Sequence, residues 1–251
     1  MAVTIKSERE IGLMRESGKR LAQVHEELAE FIRPGISTLE VDAFGERLIR
    51  KLGGAPNFKN YEGYPAAVCV SVNEEVVHGI PSAKRILQEG DVVSLDTGLI
   101  YEGYHSDAAR TYAVGRVAPE KERLIEATRQ SFFEGIRAAV AGNHLYDISA
   151  AIDTYISGFG YGIVRDLVGH GIGKRLHEDP QIPNYRQKKR GLRLEAGMTL
   201  AIEPMINMGT WEVEWSSDGW TVTTLDGQPS AHYENTILIT KDGAPEILTL
   251  P

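Results

Sequence analysis

Apolar residues recur at Ile11, Met14, Gly18, Leu21, Leu28 and Ile32, and this spacing predicts an amphipathic helix over 8–32. Ser7 and Glu10 stand ahead of it at capping-box spacing, and Pro34-Gly35 stops it. Ser37 and Glu40 repeat the box, so a second helix is expected to run to Leu52 with Gly53 as its stop. The period then changes. AAVCVSV (66–72) and DVVSLD (91–96) read as strands, and LDTGLIYEGYHSDAARTYAV reads as a hairpin with Gly103 at or near its turn. Pro119 opens a third helix, for which Gly142 is the expected stop, and a fourth is expected over 146–157.

The second half of the pattern echoes the first. LQEGDVVSLD (87–96) matches LEAGMTLAIE (194–203) at an offset of 107, and Gly35/Gly142 and Gly53/Gly160 keep the same offset around the second and fourth helices. Asp96 thereby falls against Glu203. Downstream, Asp107 corresponds to Glu234 at an offset of 127, which implies a longer second hairpin over 205–230. VVHGIP around His78 loosely echoes KRLHEDP around His177. The implied architecture has two similar halves, antiparallel strands in the middle and helices outside. No Gly/Ser-rich or Pro-rich linker divides the halves, so one domain, 1–251, is expected.

Composition changes this picture little. Hydrophobic residues are 42% and charged residues 25% of the 251, ordinary for a globular chain with a sizeable core. A formal net charge of -8 speaks against nucleic-acid binding. The one basic cluster, Arg186, Lys188, Lys189, Arg190 and Arg193, reads as a solvated loop. A single cysteine, Cys69, excludes an internal disulfide and fits a reducing compartment. The opening MAVTIKSERE lacks the apolar run of a secretory signal, and no stretch is apolar enough to span a membrane. A cytoplasmic protein is the expectation.

The chemistry lies in the repeat. Acidic residues are depleted from strands, yet Asp96 ends DVVSL, Glu203 ends MTLAI and Glu234 precedes NTILI. Buried carboxylates repel one another and lose hydration, so four together demand cations. His170 in VGHGIGKRLH joins them, with Gly169, Gly171 and Gly173 expected to let the backbone bend tightly. The candidate ligands are Asp96, Asp107, His170, Glu203 and Glu234. Four carboxylates balance two divalent ions, and oxygen donors with one imidazole suit Mn, Fe(II) or Co, and Zn less typically. Two such ions can share a water and lower its pKa, which makes the chemistry metal-assisted hydrolysis. Glu203 is the candidate proton carrier, and His78 and His177 could donate hydrogen bonds to a scissile amide and its developing oxyanion. His25, His105, His144 and His232 carry no motif and read as structural.

YPAAVCVSVNEEVVHGIP, DTGLIYEGYHSDAARTY, GHGIGKRLHEDP, AIEPM and HYENTILIT together resemble the type I methionine aminopeptidases of the M24 metallopeptidase family, over nearly the whole chain. The resemblance implies the pita-bread fold: α+β, pseudo-twofold, with a central antiparallel sheet and helices outside. It implies that Asp96 and Asp107 hold one metal while Asp107, His170, Glu203 and Glu234 hold the other, with Asp107 and Glu234 bridging. It further implies substrate contacts from His78 and His177, and a methionine pocket walled by Tyr61, Tyr64, Cys69 and Trp220. Phe58 stands where many relatives carry a smaller residue and Leu176 where many carry an aromatic, so both bear on pocket shape. Asn73, Glu75 and Ser230 match positions that bind a monovalent cation through backbone carbonyls. Only 25 residues separate His177 from Glu203, which matches type I rather than type II. The implied substrates are N-terminal Met peptides and nascent chains with a small second residue. Ribosome association and a monomeric state are further expectations. Two rivals share the fold: a proline-specific aminopeptidase or dipeptidase, and a binding protein that lost the chemistry.

Overall fold

Each of the first two helices begins where the sequence places a cap. In the computed structural model, which describes residues 3–251, α1 spans Glu8–Phe31 and α2 spans Thr38–Lys51. The reading of the first two residues lies outside that range. Ser7 N–H donates to Glu10 Oε2 at 2.9 Å while Glu10 N–H returns to Ser7 Oγ; Ser37 and Glu40 do the same. Each box satisfies two otherwise orphaned donors. α3 runs Pro119–Ile136 and α4 runs Leu145–Ile156. The third helix therefore ends six residues short of the expected Gly142. Tight turns at Ala138 and Ala139 replace its last coil and let the chain reverse onto α4.

Among the described residues, a nine-stranded sheet forms the centre, and its pairings are antiparallel. Val92–Tyr101 and Tyr104–Ala113 make a ten-residue hairpin. Its two-residue loop, Glu102-Gly103, has φ of 48° and 80°, the conformation that matches strand twist. The second half repeats the hairpin with Thr199–Ile202 and Glu234–Leu238. Its connection is long because Met205–Asn207 pairs with Ser230–His232, and a further hairpin, Val213–Trp215 with Val222–Thr224, is inserted between them. The halves meet where Glu234 and Asn235 pair with Ala109 and Ala108.

Two cores match the two halves. Leu21, Val24 and Leu28 of α1 and Val41, Leu48 and Ile49 of α2 pack on Val70, Val93 and Leu95. Phe132 and Ile136 of α3 and Leu145, Ile148 and Ile152 of α4 pack on Leu200, Ile202 and Ile237. Burying a stripe of this kind against the sheet gives each helix most of its stability. The helices thus cover the sheet from outside and leave the seam between the halves open to a cleft. The basic loop is pinned at three points: Arg186 to Thr154, Arg190 to Asp147 and Arg193 to the Gly142 carbonyl. Among the described residues, no helix is long and apolar enough to cross a membrane.

Candidate metal centre

The seam carries the acids. Asp96 lies on Val92–Tyr101 opposite Cys69 and Ala109, and Asp107 lies on the partner strand opposite Gly98. Glu234 begins its strand directly across from Ala109. Alanine at 108 and 109 leaves room for these side chains to converge. Backbone bonds fix them further: Thr236 Oγ1 accepts the Asp107 N–H at 3.0 Å and donates to the Asp107 carbonyl at 2.9 Å. The buried Arg110 guanidinium donates to the Glu234 carbonyl and to Asn235 Oδ1, and lies over the Tyr233 ring. Asn184 Nδ2 holds the Glu203 carbonyl at 3.0 Å.

His170 sits on the short strand Gly169–Gly171, opposite Ala201. Its glycines are needed for close approach rather than for a bend. A Cβ at 169 would lie 2.5 Å from the Ala201 carbonyl oxygen, and one at 171 would lie 2.2 Å from that of Asp179. Neither has positive φ, and Gly173 is likewise tight against Lys6. His170 Nδ1 lies 2.8 Å from the Gly171 carbonyl. A carbonyl only accepts, so in the neutral ring Nδ1 carries the proton and Nε2 presents its lone pair to the acids. Nε2 stands 3.9 Å from Asp107 Oδ2 and 3.7 Å from Glu203 Oε1. One ligand atom each from Asp107, His170 and Glu234 falls within 4.8 Å of the others.

The donor set fits divalent cations. Asp96 Oδ1, Asp107 Oδ1 and Glu234 Oε1 are buried with no hydrogen-bond partner among the described residues. Burial pushes the Asp96 carboxyl up to about 8. Burial, and then the charge of the neighbouring acids, pushes Asp107, Glu203 and Glu234 well above the carboxylate range. Carboxyls so placed are held back from ionising by the absence of positive charge, and bound cations invert that logic. Burial pushes His170 down to about 3, which keeps its nitrogen free to ligate.

All five candidate ligands line one cleft of about 170 Å³ with His78, His177, Phe58, Tyr61, Tyr64, Cys69, Leu176 and Trp220. Tyr64 and Trp220 meet edge to face at 5.2 Å, and the Tyr64 hydroxyl donates to the Gly79 carbonyl at 2.8 Å. Burial pushes the Cys69 thiol up, so it stays a neutral part of the wall. The His177 ring lies 4.4 Å from that of His170, and its Nδ1 is 2.9 Å from the Tyr61 hydroxyl. Burial pushes His78 down to about 4. Asn73, Glu75 and Ser230 lie outside the cleft; Ser230 N–H donates to the Asn73 carbonyl at 2.9 Å.

Two residues near the site escape sequence reasoning. Glu62 lines the cleft in a left-handed turn, and nothing in its sequence context marks it. His232 lies 3.8 Å from Glu203, and its position two residues before Glu234 in an extended run was the available signal. Of the other histidines, His25 Nε2 meets the Ala108 carbonyl at 2.9 Å inside the first core.

A pseudo-twofold α+β fold with a buried acid-and-imidazole cluster at its seam defines a metallohydrolase. Residues 12–241 match the metallopeptidase family M24. The chain is 51% identical over 248 residues to the methionine aminopeptidase of Clostridium acetobutylicum, covering 99% of both chains. It is 49% identical to methionine aminopeptidase 1 of Bacillus subtilis, covering 98% and 99%. The solved methionine aminopeptidase of Thermotoga maritima superposes with a TM-score of 0.97 at 44% identity, covering both chains fully. The Xaa-Pro dipeptidase of Bacillus anthracis reaches 0.79 at 28%, covering 98% of this chain and 61% of that one. The chain belongs to metallopeptidase family M24, among its methionine aminopeptidases, and has their pita-bread fold.

Proposed function

We propose that this chain removes the initiator methionine from the N-termini of nascent proteins and peptides in the cytoplasm, favouring a small second residue, by hydrolysis that depends on two divalent metal ions. One observation carries the reading: five ligand-type side chains, two further histidines and an apolar, aromatic-edged wall share a single cleft. Asp96 and Asp107 would hold one ion, and Asp107, His170, Glu203 and Glu234 the other. Mn, Fe(II) and Co suit these donors, with Zn a poorer match. When bound, the ions supply Lewis acidity and an activated water.

The side chains do the rest. Glu203 takes a proton from the attacking water and returns it to the leaving amine. His78 and His177 donate to the scissile amide and to the oxygen that gains charge. Tyr61 orients the His177 ring through Nδ1. Tyr64, Cys69, Trp220, Phe58 and Leu176 form the socket for the methionine thioether, which packs well on aromatic edges. The free α-amino group is read at the Asp96 side, which restricts cutting to N-termini. Residues 1–251 act as one catalytic domain and as a monomer, with Asn73, Glu75 and Ser230 offering carbonyls to a monovalent cation. Action on nascent chains is compatible with ribosome association.

Turnover of Met-Ala-Ser against Xaa-Pro peptides tests the assignment. The expected result is cleavage of Met-Ala-Ser only with metal present, lost in Glu203→Gln. Better turnover of Xaa-Pro peptides, or activity that survives thorough chelation, overturns it.

A further inference from the structure

Glu203 sits between two imidazoles. His170 Nε2 is 3.7 Å from its Oε1, and His232 Nε2 is 3.8 Å from its Oε2. His170 belongs to the cluster described above, whereas His232 does not line the cleft. It ends the strand Ser230–His232 and is 1% exposed. Its backbone is clamped at both polar atoms: the N–H donates to Thr111 Oγ1 at 2.8 Å, and the carbonyl accepts from the same hydroxyl at 2.9 Å. The ring direction is therefore set by the strand. Yet both ring nitrogens are buried without a hydrogen-bond partner among the described residues. A polar ring buried in this way opposes folding, and such groups in native proteins call for a functional account.

A neutral imidazole carries one ring N–H. An ionised carboxylate can only accept. We propose that His232 is a positioning residue whose Nε2–H donates to Glu203 Oε2 and fixes the rotation of that carboxylate, with Oε1 turned toward His170. The 3.8 Å separation exceeds an N–H···O bond of about 2.9 Å, and a small turn of the Glu203 carboxylate closes it. Oε2 keeps a second lone pair for the proton it carries. His232 touches neither substrate nor ions; it acts through Glu203, as hydrogen-bonded partners of metal-binding side chains do. The inference rests on the reading of Glu203 given under Proposed function.

The test compares His232→Met, which keeps length without a donor, with His232→Gln, which keeps a side-chain N–H. Both are made in the full chain, loaded with Mn(II). His232→Met should lower kcat for Met-Ala-Ser and weaken calorimetric Mn(II) affinity by about ten- to a hundredfold, with KM nearly unchanged. His232→Gln should restore both to near wild type. Wild-type kcat and Mn(II) affinity in His232→Met, or equal loss in the two variants at equal melting temperature, overturns the proposal. A second measurement needs no variant: ¹⁵N spectra of the wild-type ring should show the Nε2–H tautomer, and an Nδ1–H tautomer overturns the proposal. Glu203→Gln separates the two readings. If it is inactive while His232→Met is unaffected, only this inference falls; full activity in Glu203→Gln removes the Glu203 reading itself.

Discussion

Chelation should leave a protein that loses stability as the pH rises from 6.5 to 8, while the metal-loaded form should not. Asp96 has its carboxyl raised from its ordinary 3.8 to about 8 by burial, and Asp107, Glu203 and Glu234 are raised in the same direction. Below the unfolded pKa, both folded and unfolded chains hold these protons. Above it, the folded chain retains protons that the unfolded chain has lost, so stability falls until the folded pKa is passed. The buried histidines act oppositely. His25, His170 and His232 are pushed down to about 3, and His78 and His105 to about 4, by burial. Their contribution is lost as pH falls below the unfolded histidine value of about 6.5. Between about pH 4 and 7 the two sets oppose each other, and as the last unfolded histidines deprotonate above that only the carboxyls remain. Each retained proton then removes about 1.4 kcal/mol per pH unit, or about 2 kcal/mol by pH 8. Asp96 titrates across that window, so it alone removes up to about 2 kcal/mol, and Asp107, Glu203 and Glu234, raised in the same direction, add to the loss, against a total of about 5–15 kcal/mol for a domain. Melting curves in chelator at pH 6.5, 7.2 and 8 should fall by at least several °C. The curves with Mn(II) should hold steady, because bound ions keep the carboxylates ionised. A chelated melting temperature that is flat or rising over this range would refute the reasoning.

Thr236→Val keeps shape but strips the hydroxyl that both accepts from and donates to the Asp107 backbone. It should cost about 1–3 kcal/mol in urea unfolding and weaken metal binding, because the Asp107 N–H is left buried and unpaired. Gly171→Ala puts a Cβ 2.2 Å from the Asp179 carbonyl oxygen, so the strand bearing His170 must shift. A destabilisation of about 1–3 kcal/mol with reduced metal affinity is expected, and the control is Gly12→Ala within α1, which meets nothing within 4 Å and should stabilise by about 0.5–1 kcal/mol with metal affinity unchanged.

What could be read from the sequence was what repeats or caps. Ser7/Glu10 and Ser37/Glu40 locate two helices because a cap is a local hydrogen-bond pattern, closed within four residues. The metal-type side chains could be paired because duplication keeps Asp96 beside Glu203 and Asp107 beside Glu234 in register, whatever else drifts. The end of α3 was not legible. Ile136 is followed by turns whose advantage comes from stacking α3 on α4 across Phe132, Ile148 and Ile152, a contact that no helix-stop residue announces. The glycines around His170 show the same limit from another side. Their presence was visible, but their reason is the carbonyl oxygens of Ala201 and Asp179, the first of them 32 residues from Gly169 in sequence. His232 and Glu62 depend wholly on such distant partners, Glu203 in one case and the cleft rim in the other. The duplication itself explains why the cleft lies where it does. Each half buries its outer face under two helices and leaves its inner strand edge to the other half, so Ala108 and Ala109 meet Asn235 and Glu234 at the seam. Asp96 and Asp107 of the first half meet Glu203 and Glu234 of the second only when the halves close, and cations at that seam would then stabilise the very contact that creates the site.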